Sequence, residues 1–212
     1  LRTGVPITTF EIQSDLARLY DATARPDLAV WYGKQAVNTL QKVRNQALDL
    51  DQDTQKSLLA KHEAIYKSLA DWLIALGRIS EAQQVLAMLK EAEFFDFIQR
   101  NAADDPRQTQ ASFDGRERPW AERYATISGQ LATLAKEHDA LSKKDEKSLS
   151  AAEKSRLAQL EADLTVARQA YEQFTADLVR ELGKSASPER MKEVGGKNLD
   201  DLSALQGTLG NL

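Results

Sequence analysis

Residues 68–90, SLADWLIALGRISEAQQVLAMLK, decide the fold. Gly77 and Arg78 divide the stretch at a tight turn into two amphipathic segments. Before the turn, Tyr66, Leu69, Ala70 and Leu73 recur at helical spacing, and after it Ala82, Leu86 and Leu89 do the same. The small residues Ala70 and Ala82 stand where two helix axes must approach closely, with large residues flanking them. This pattern predicts a helix-turn-helix unit that packs against copies of itself.

A second copy lies upstream. Thr8 and Glu11 are spaced as a capping box, in which hydroxyl and carboxylate satisfy free backbone donors, so a helix is expected from there to about Ala22. Phe10, Ile12, Leu16, Ala17 and Tyr20 lie on or near its apolar face. Pro26 suits the first turn of the next helix, where its missing N–H costs nothing. That helix carries Leu28, Ala29, Tyr32, Ala36, Val37 and Leu40, and is expected to continue to about Leu48. Aligning Tyr20 with Leu73 sets Ala17 over Ala70 and Ala29 over Ala82, so one design occurs twice. The order of large and small residues resembles a tetratricopeptide repeat. The two copies are 53 residues apart, against about 34 for that repeat, and the surplus falls around residues 49–55. Extended helices would absorb it. Gly33 also departs from the pattern, because a large apolar residue is common at its place.

Phe94, Phe95, Phe97 and Ile98 form an aromatic cluster after the second copy. It reads either as a groove for a partner or as a cap over the open end of the stack, and end repeats need capping. Residues 104–119, DDPRQTQASFDGRERP, are polar and turn-rich, the composition of a hinge loop. Beyond it the period becomes a strict heptad. Trp120, Tyr124, Ile127, Leu131, Leu134, His138 and Leu141 alternate steps of four and three, and Leu157, Leu160, Leu164, Ala167, Tyr171, Phe174 and Leu178 repeat them. A charged turn and a second capping box, Ser150 with Glu153, separate the two runs. Arms of roughly 35 and 50 Å are expected at 1.5 Å per residue. Gly183 ends the longer arm, and Leu199, Leu202, Leu205 and Leu209 mark a short last helix. The whole reads as all-α: two tetratricopeptide-like helix pairs with extended helices in residues 1–103, a hinge at 104–119, an antiparallel coiled-coil hairpin over 120–182, and short C-terminal helices over 183–212.

Composition narrows the function. The 212 residues include 28% charged and 42% hydrophobic, with a net charge of −4 and both signs interleaved along the helices, whereas a nucleic-acid surface needs a basic face. Five prolines and an abundance of Ala, Leu, Gln, Lys and Glu favour helix throughout. No apolar run approaches the 18 residues of a membrane span. With no cysteine there is no disulfide, thiol nucleophile or cysteine-ligated metal, which is compatible with a reducing cytoplasm. The chain opens on Leu1, which reads as an internal start, so the lack of a leader there says nothing of export.

Catalytic signals are missing. The two histidines, His62 and His138, are 76 residues apart, and His138 sits at a heptad core position, where a buried structural imidazole is expected. Gly195 and Gly196 lack the Lys-Ser/Thr of a phosphate loop, and no paired-histidine metal motif occurs. No nucleophile elbow occurs either. No cofactor or metal site is therefore expected.

The segments PDLAVWYGKQAVNTLQKVR (26–44), LADWLIALGRISEAQQVLAMLKEAEFFDFIQR (69–100) and PWAERY (119–124), followed by the heptads, resemble bacterial proteins in which tetratricopeptide repeats precede a CHAT domain, a caspase-like cysteine peptidase module. The resemblance covers roughly residues 10–210, with GKQAVN and GRISEAQQVL carrying it. It implies a non-catalytic regulatory or scaffold half of a peptidase, with that peptidase domain downstream as one partner and another protein or peptide as the other. It also implies a binding face on the first helix of each repeat: Glu11, Ser14, Arg18, Asp21, Lys67 and Asp71. Their mixed charge does not suggest a clamp for one carboxylate, and an ordinary solvated face is the competing reading. The alternative function is a structural coiled-coil element that self-associates through the heptad helices.

Overall fold

The computed structural model describes residues 4–46, 62–98, 110–145 and 148–183. Among the described residues the fold is all-α. Six helices are present: α1 (Gly4–Ala22), α2 (Pro26–Gln46), α3 (Ala64–Ala75), α4 (Ile79–Ile98), α5 (Arg118–Ser142) and α6 (Ala151–Leu182). They fall into two compact units, one holding the described parts of Leu1–Phe113 and Leu182–Leu212 and the other Asp114–Glu181.

In the first unit α1 packs on α2, α2 on α3 and α3 on α4. Helix α1 begins at Gly4, one turn before the expected capping box, so Thr8 is an interior residue and not a cap. The chain can start earlier because Pro6 falls in the first turn, where the backbone N–H groups have no intrahelical partner to lose. Phe10 and Ala17 are buried on its inner face, whereas Ile12 is 55% exposed and lies off that face. Helix α2 is covered along much of its length. Leu28, Ala29, Val30, Trp31 and Tyr32 are all buried in succession, as are Ala36, Val37, Leu40 and Val43. Such all-round burial follows from its place between two neighbours, α1 and α3. Tyr20 stacks on Tyr32 with ring centroids 5.4 Å apart.

The two turns are built alike, atom for atom. After α1, Thr23 N–H donates to Leu19 O at 3.0 Å, Ala24 N–H to Asp21 O at 3.0 Å and Arg25 N–H to Tyr20 O at 2.8 Å. After α3, Leu76 N–H donates to Trp72 O at 3.1 Å, Gly77 N–H to Ile74 O at 2.9 Å and Arg78 N–H to Leu73 O at 2.8 Å. Each bond of the second set is the first shifted by 53 positions. Ala24 (φ 55°) and Gly77 (φ 72°) are matched residues in the left-handed region, which closes both helices in the same way. Ala17, Ala29, Ala70 and Ala82 are all buried at the close approaches, in the order that the alignment of the two copies requires.

Gly33 has a packing reason. A Cβ placed there would sit 3.0 Å from Leu69 Cδ1 and 3.1 Å from Trp72 Cζ3 of α3. Its counterpart one repeat later is Leu86, which is 37% exposed. The apolar face of α4 is therefore Ala82, Val85, Met88 and Leu89, not Ala82, Leu86 and Leu89. The side chains of Phe94, Phe95, Phe97 and Ile98 lie outside the described residues, as do residues 49–55 and the C-terminal helix expected beyond Gly183.

In the second unit α5 and α6 lie side by side in opposite directions. Trp120 meets Phe174, Tyr124 meets Tyr171, and His138 lies 3.9 Å from Glu161, so one number falls as the other rises. Arg156 grips Glu137 through Nε and Nη2 at 2.7 and 2.6 Å. A reciprocal pair of side-chain bonds closes the turn before α5, and a capping box starts α6. Asp114 accepts from the backbone N–H groups of Arg116 and Glu117, both at 2.8 Å, and Glu117 accepts from Asp114 N–H at 3.0 Å. Ser150 Oγ accepts from Glu153 N–H at 3.3 Å, and Glu153 accepts from Ser150 N–H at 2.9 Å. The His138 side chain is 32% exposed, so it is not the buried core imidazole expected from its heptad place. A two-helix arrangement leaves the rim of its seam open, and His138 sits on that rim beside the exposed Glu161.

Candidate functional site

The first helices of the two repeats, α1 and the entry to α3, enclose a cleft of about 340 Å³. Phe10, Glu11, Ser14, Asp15 and Arg18 line it from α1, and His62, Ala64 and Ile65 from the other side. Steps of three and four along α1 bring its residues to one face. The floor is aromatic: the His62 ring stands edge-on to Phe10, centroids 4.6 Å apart and planes at 72°. The rim is charged, with Arg18 3.4 Å from Asp15 and both well exposed. Ser14 is buried, and its Oγ has no hydrogen-bond partner among the described residues. A buried hydroxyl left unmatched costs about 1–3 kcal/mol, so a ligand group that bonds to it there is favoured.

Three of the six expected face residues, Glu11, Ser14 and Arg18, thus share one cleft. The other three do not line it. Asp21 and Asp71 are exposed, and Lys67 is bonded to Glu63 at 2.9 Å, one turn back on its own helix. Asp15 and His62 belong to the cleft but were not among the expected residues. The signal for His62 was present, because it precedes Tyr66 by four residues and so continues the apolar face of α3.

A second polar group joins α2 to α4. Lys34 is 1% exposed and donates through Nζ to Glu81, which Arg78 also holds by a fork of two bonds at 2.7 and 2.8 Å. Burial works against charge on Glu81, but the Arg78 and Lys34 contacts outweigh it and hold the carboxyl below its usual range. Along the same side of α2, Asn38 is buried and binds the main chain of Ala111 twice. Its Nδ2 donates to Ala111 O at 3.1 Å, and its Oδ1 accepts from Ala111 N–H at 2.7 Å. Gln84 of α4 donates to Gln110 O at 3.4 Å and accepts from Ser112 Oγ at 3.2 Å. The Phe113 ring lies against Trp31, with Lys34 Nζ 5.9 Å from its centroid. Residues 110–113 have no regular secondary structure, yet they are held at several points. The composition of 104–119 predicted a hinge loop; over 110–113 the main chain is instead fixed by side-chain amides.

Among the described residues no group of three His, Asp or Glu side chains converges to hold a metal ion, and no helix is long and apolar enough to cross a membrane. No protein-family model, curated protein or solved structure matches the chain.

Proposed function

We propose that the chain is a protein-interaction module of helical repeats without catalytic chemistry of its own. The observation that carries this reading is the pair of turns repeated at 53 positions, bond for bond. Repetition of a helix pair sets first helices side by side and makes an extended face, which suits recognition of another chain. The cleft between α1 and α3 is the best-formed part of that face. It combines an aromatic floor, a buried unmatched hydroxyl and a rim of both charges. The test is photo-crosslinking from positions 11 and 18 in the native cell. One protein captured from both positions, and lost on Arg18→Glu, supports the reading. No specific capture from either position contradicts it.

The narrower proposal is that the module regulates or positions a caspase-like cysteine peptidase. Its support is the resemblance carried by residues 26–44, 69–100 and 119–124. The reading frame downstream of Leu212 tests it: a domain with a catalytic His and Cys is expected, and a frame that ends or encodes something else contradicts it.

A structural, self-associating role is the second reading, favoured by one feature of the α5–α6 unit. An apolar depression of about 530 Å³ lies there, bordered by Leu134, Ala167, Ala170 and Val166, the last 65% exposed. Light scattering across a hundredfold range of concentration separates the two readings. A mass that stays at one chain sinks self-association.

A further inference from the structure

We propose that the side of the repeat unit formed by α2 and α4 is a binding site for an extended peptide carrying a small residue and, two positions on, an aromatic one, and that residues 110–113 of this chain occupy it in cis. This site is separate from the α1–α3 cleft, and it rests on hydrogen bonds to main-chain atoms. Here the loop contributes its peptide groups. Asn38 pairs with both the N–H and the C=O of Ala111, the two-bond pattern by which one extended strand holds another. Such a bond pair selects extended backbone and not a particular sequence.

Selectivity comes from the flanks. Ala111 is 2% exposed beneath Asn38, so a larger side chain there has no room. Two residues on, the Phe113 ring is set against Trp31 and within 5.9 Å of the Lys34 ammonium. An aromatic ring draws a cation to its face, and the cation is fixed here because Glu81 holds Lys34. Gln84 donates to the main-chain carbonyl of Gln110, so that position tolerates variation, and its bond from the Ser112 hydroxyl is solvent-exposed, so a hydroxyl there adds little. The ligand class is therefore small–x–aromatic in extended form. A segment covalently attached competes at high effective concentration, so a free peptide must displace it or meet a chain in which it has been weakened.

The experiment uses a fluorescent peptide with the sequence of residues 108–115, QTQASFDG, and the full chain carrying Ala111→Pro and Phe113→Ser. Those two changes remove the N–H given to Asn38 and the ring given to Lys34 from the cis segment. The peptide is expected to bind this variant at least tenfold more tightly than it binds the unaltered chain. Methylating the peptide nitrogen of its alanine, which deletes one bond without touching the protein, should weaken binding at least tenfold, and replacing its phenylalanine by alanine should do the same. Absence of binding to the folded variant overturns the proposal, as does equal affinity for the methylated peptide. If the variant does not fold, exchange of the Ala111 amide in the unaltered chain decides. Exchange by local opening that speeds up as free peptide is added supports the proposal. Exchange as slow as the slowest amides of α2, unmoved by peptide, overturns it.

Discussion

Ala24 holds a φ of 55°, a conformation in which an L side chain crowds the following carbonyl, while its counterpart Gly77 carries no such side chain. The same turn is thus made once with strain and once without. Ala24→Gly is expected to raise stability by about 0.5–1 kcal/mol, after allowing for the extra freedom of glycine in the unfolded chain. Gly77→Ala should lower it by about 1 kcal/mol; urea midpoints measure both. Gly33 and Leu86 form the opposite contrast. Gly33→Leu forces atoms into Leu69 and Trp72 and should cost about 2 kcal/mol or more, whereas Leu86→Ala, at an exposed site, should cost less than about 1 kcal/mol. Glu81 supplies a third test. Glu81→Gln leaves Lys34 and Arg78 facing each other with little solvent, at a cost on the order of 3 kcal/mol, and Lys34→Met combined with Glu81→Leu should cost less than the single change. Because the folded pKa of Glu81 is lowered, its contribution is complete above the ordinary value of 4.5 and is lost as pH falls through the folded value below that.

At the scale of elements, α6 offers a pH test that can be read locally. The Glu153 carboxyl accepts from Lys144 and from both the N–H and the hydroxyl of Ser150, which bring its pKa down to about 2. The first turn of α6 should therefore stay closed well below pH 4.5 and fray only as pH approaches 2. Ser150→Ala should move that fraying to higher pH; amide exchange at residues 151–154 measures it, and an unchanged profile contradicts the capping role. These elements also show what the amino-acid pattern could convey. The Ser150 box, the heptad residues that face each other across α5 and α6, and the alanine pairs of the repeats were legible because each depends on local spacing. Thr8 misled because a capping box is only a local preference, and Pro6 allowed the helix to begin earlier. Leu86 misled because the face of α4 that is covered depends on which helix lies beside it. Buried Lys34 and the Asn38 clamp gave no local sign, since both depend on residues 47 and 73 positions away in the chain.

At the scale of the molecule, the described chain consists of a repeat unit and a helical-hairpin unit, each with its own polar and aromatic contacts. The α1–α3 cleft was half legible. Glu11, Ser14, Asp15 and Arg18 share one face of α1 by spacing alone, and His62 continues the apolar face of α3, but only the packing of the two repeats brings those faces together. The proposed partner site is lined by residues of the first unit alone, so substitutions in the two units should separate. Val166→Glu, in the hairpin depression, should leave partner binding within about twofold of the unaltered chain, and Arg18→Glu should weaken it at least tenfold. The most direct measurement of the central claim is the affinity of the crosslinked partner, once purified, for the unaltered chain and for these two variants. A loss confined to Arg18→Glu is the predicted result. Equal affinity of Arg18→Glu and the unaltered chain, or a loss confined to Val166→Glu, would contradict the assignment of the repeat face as the binding surface.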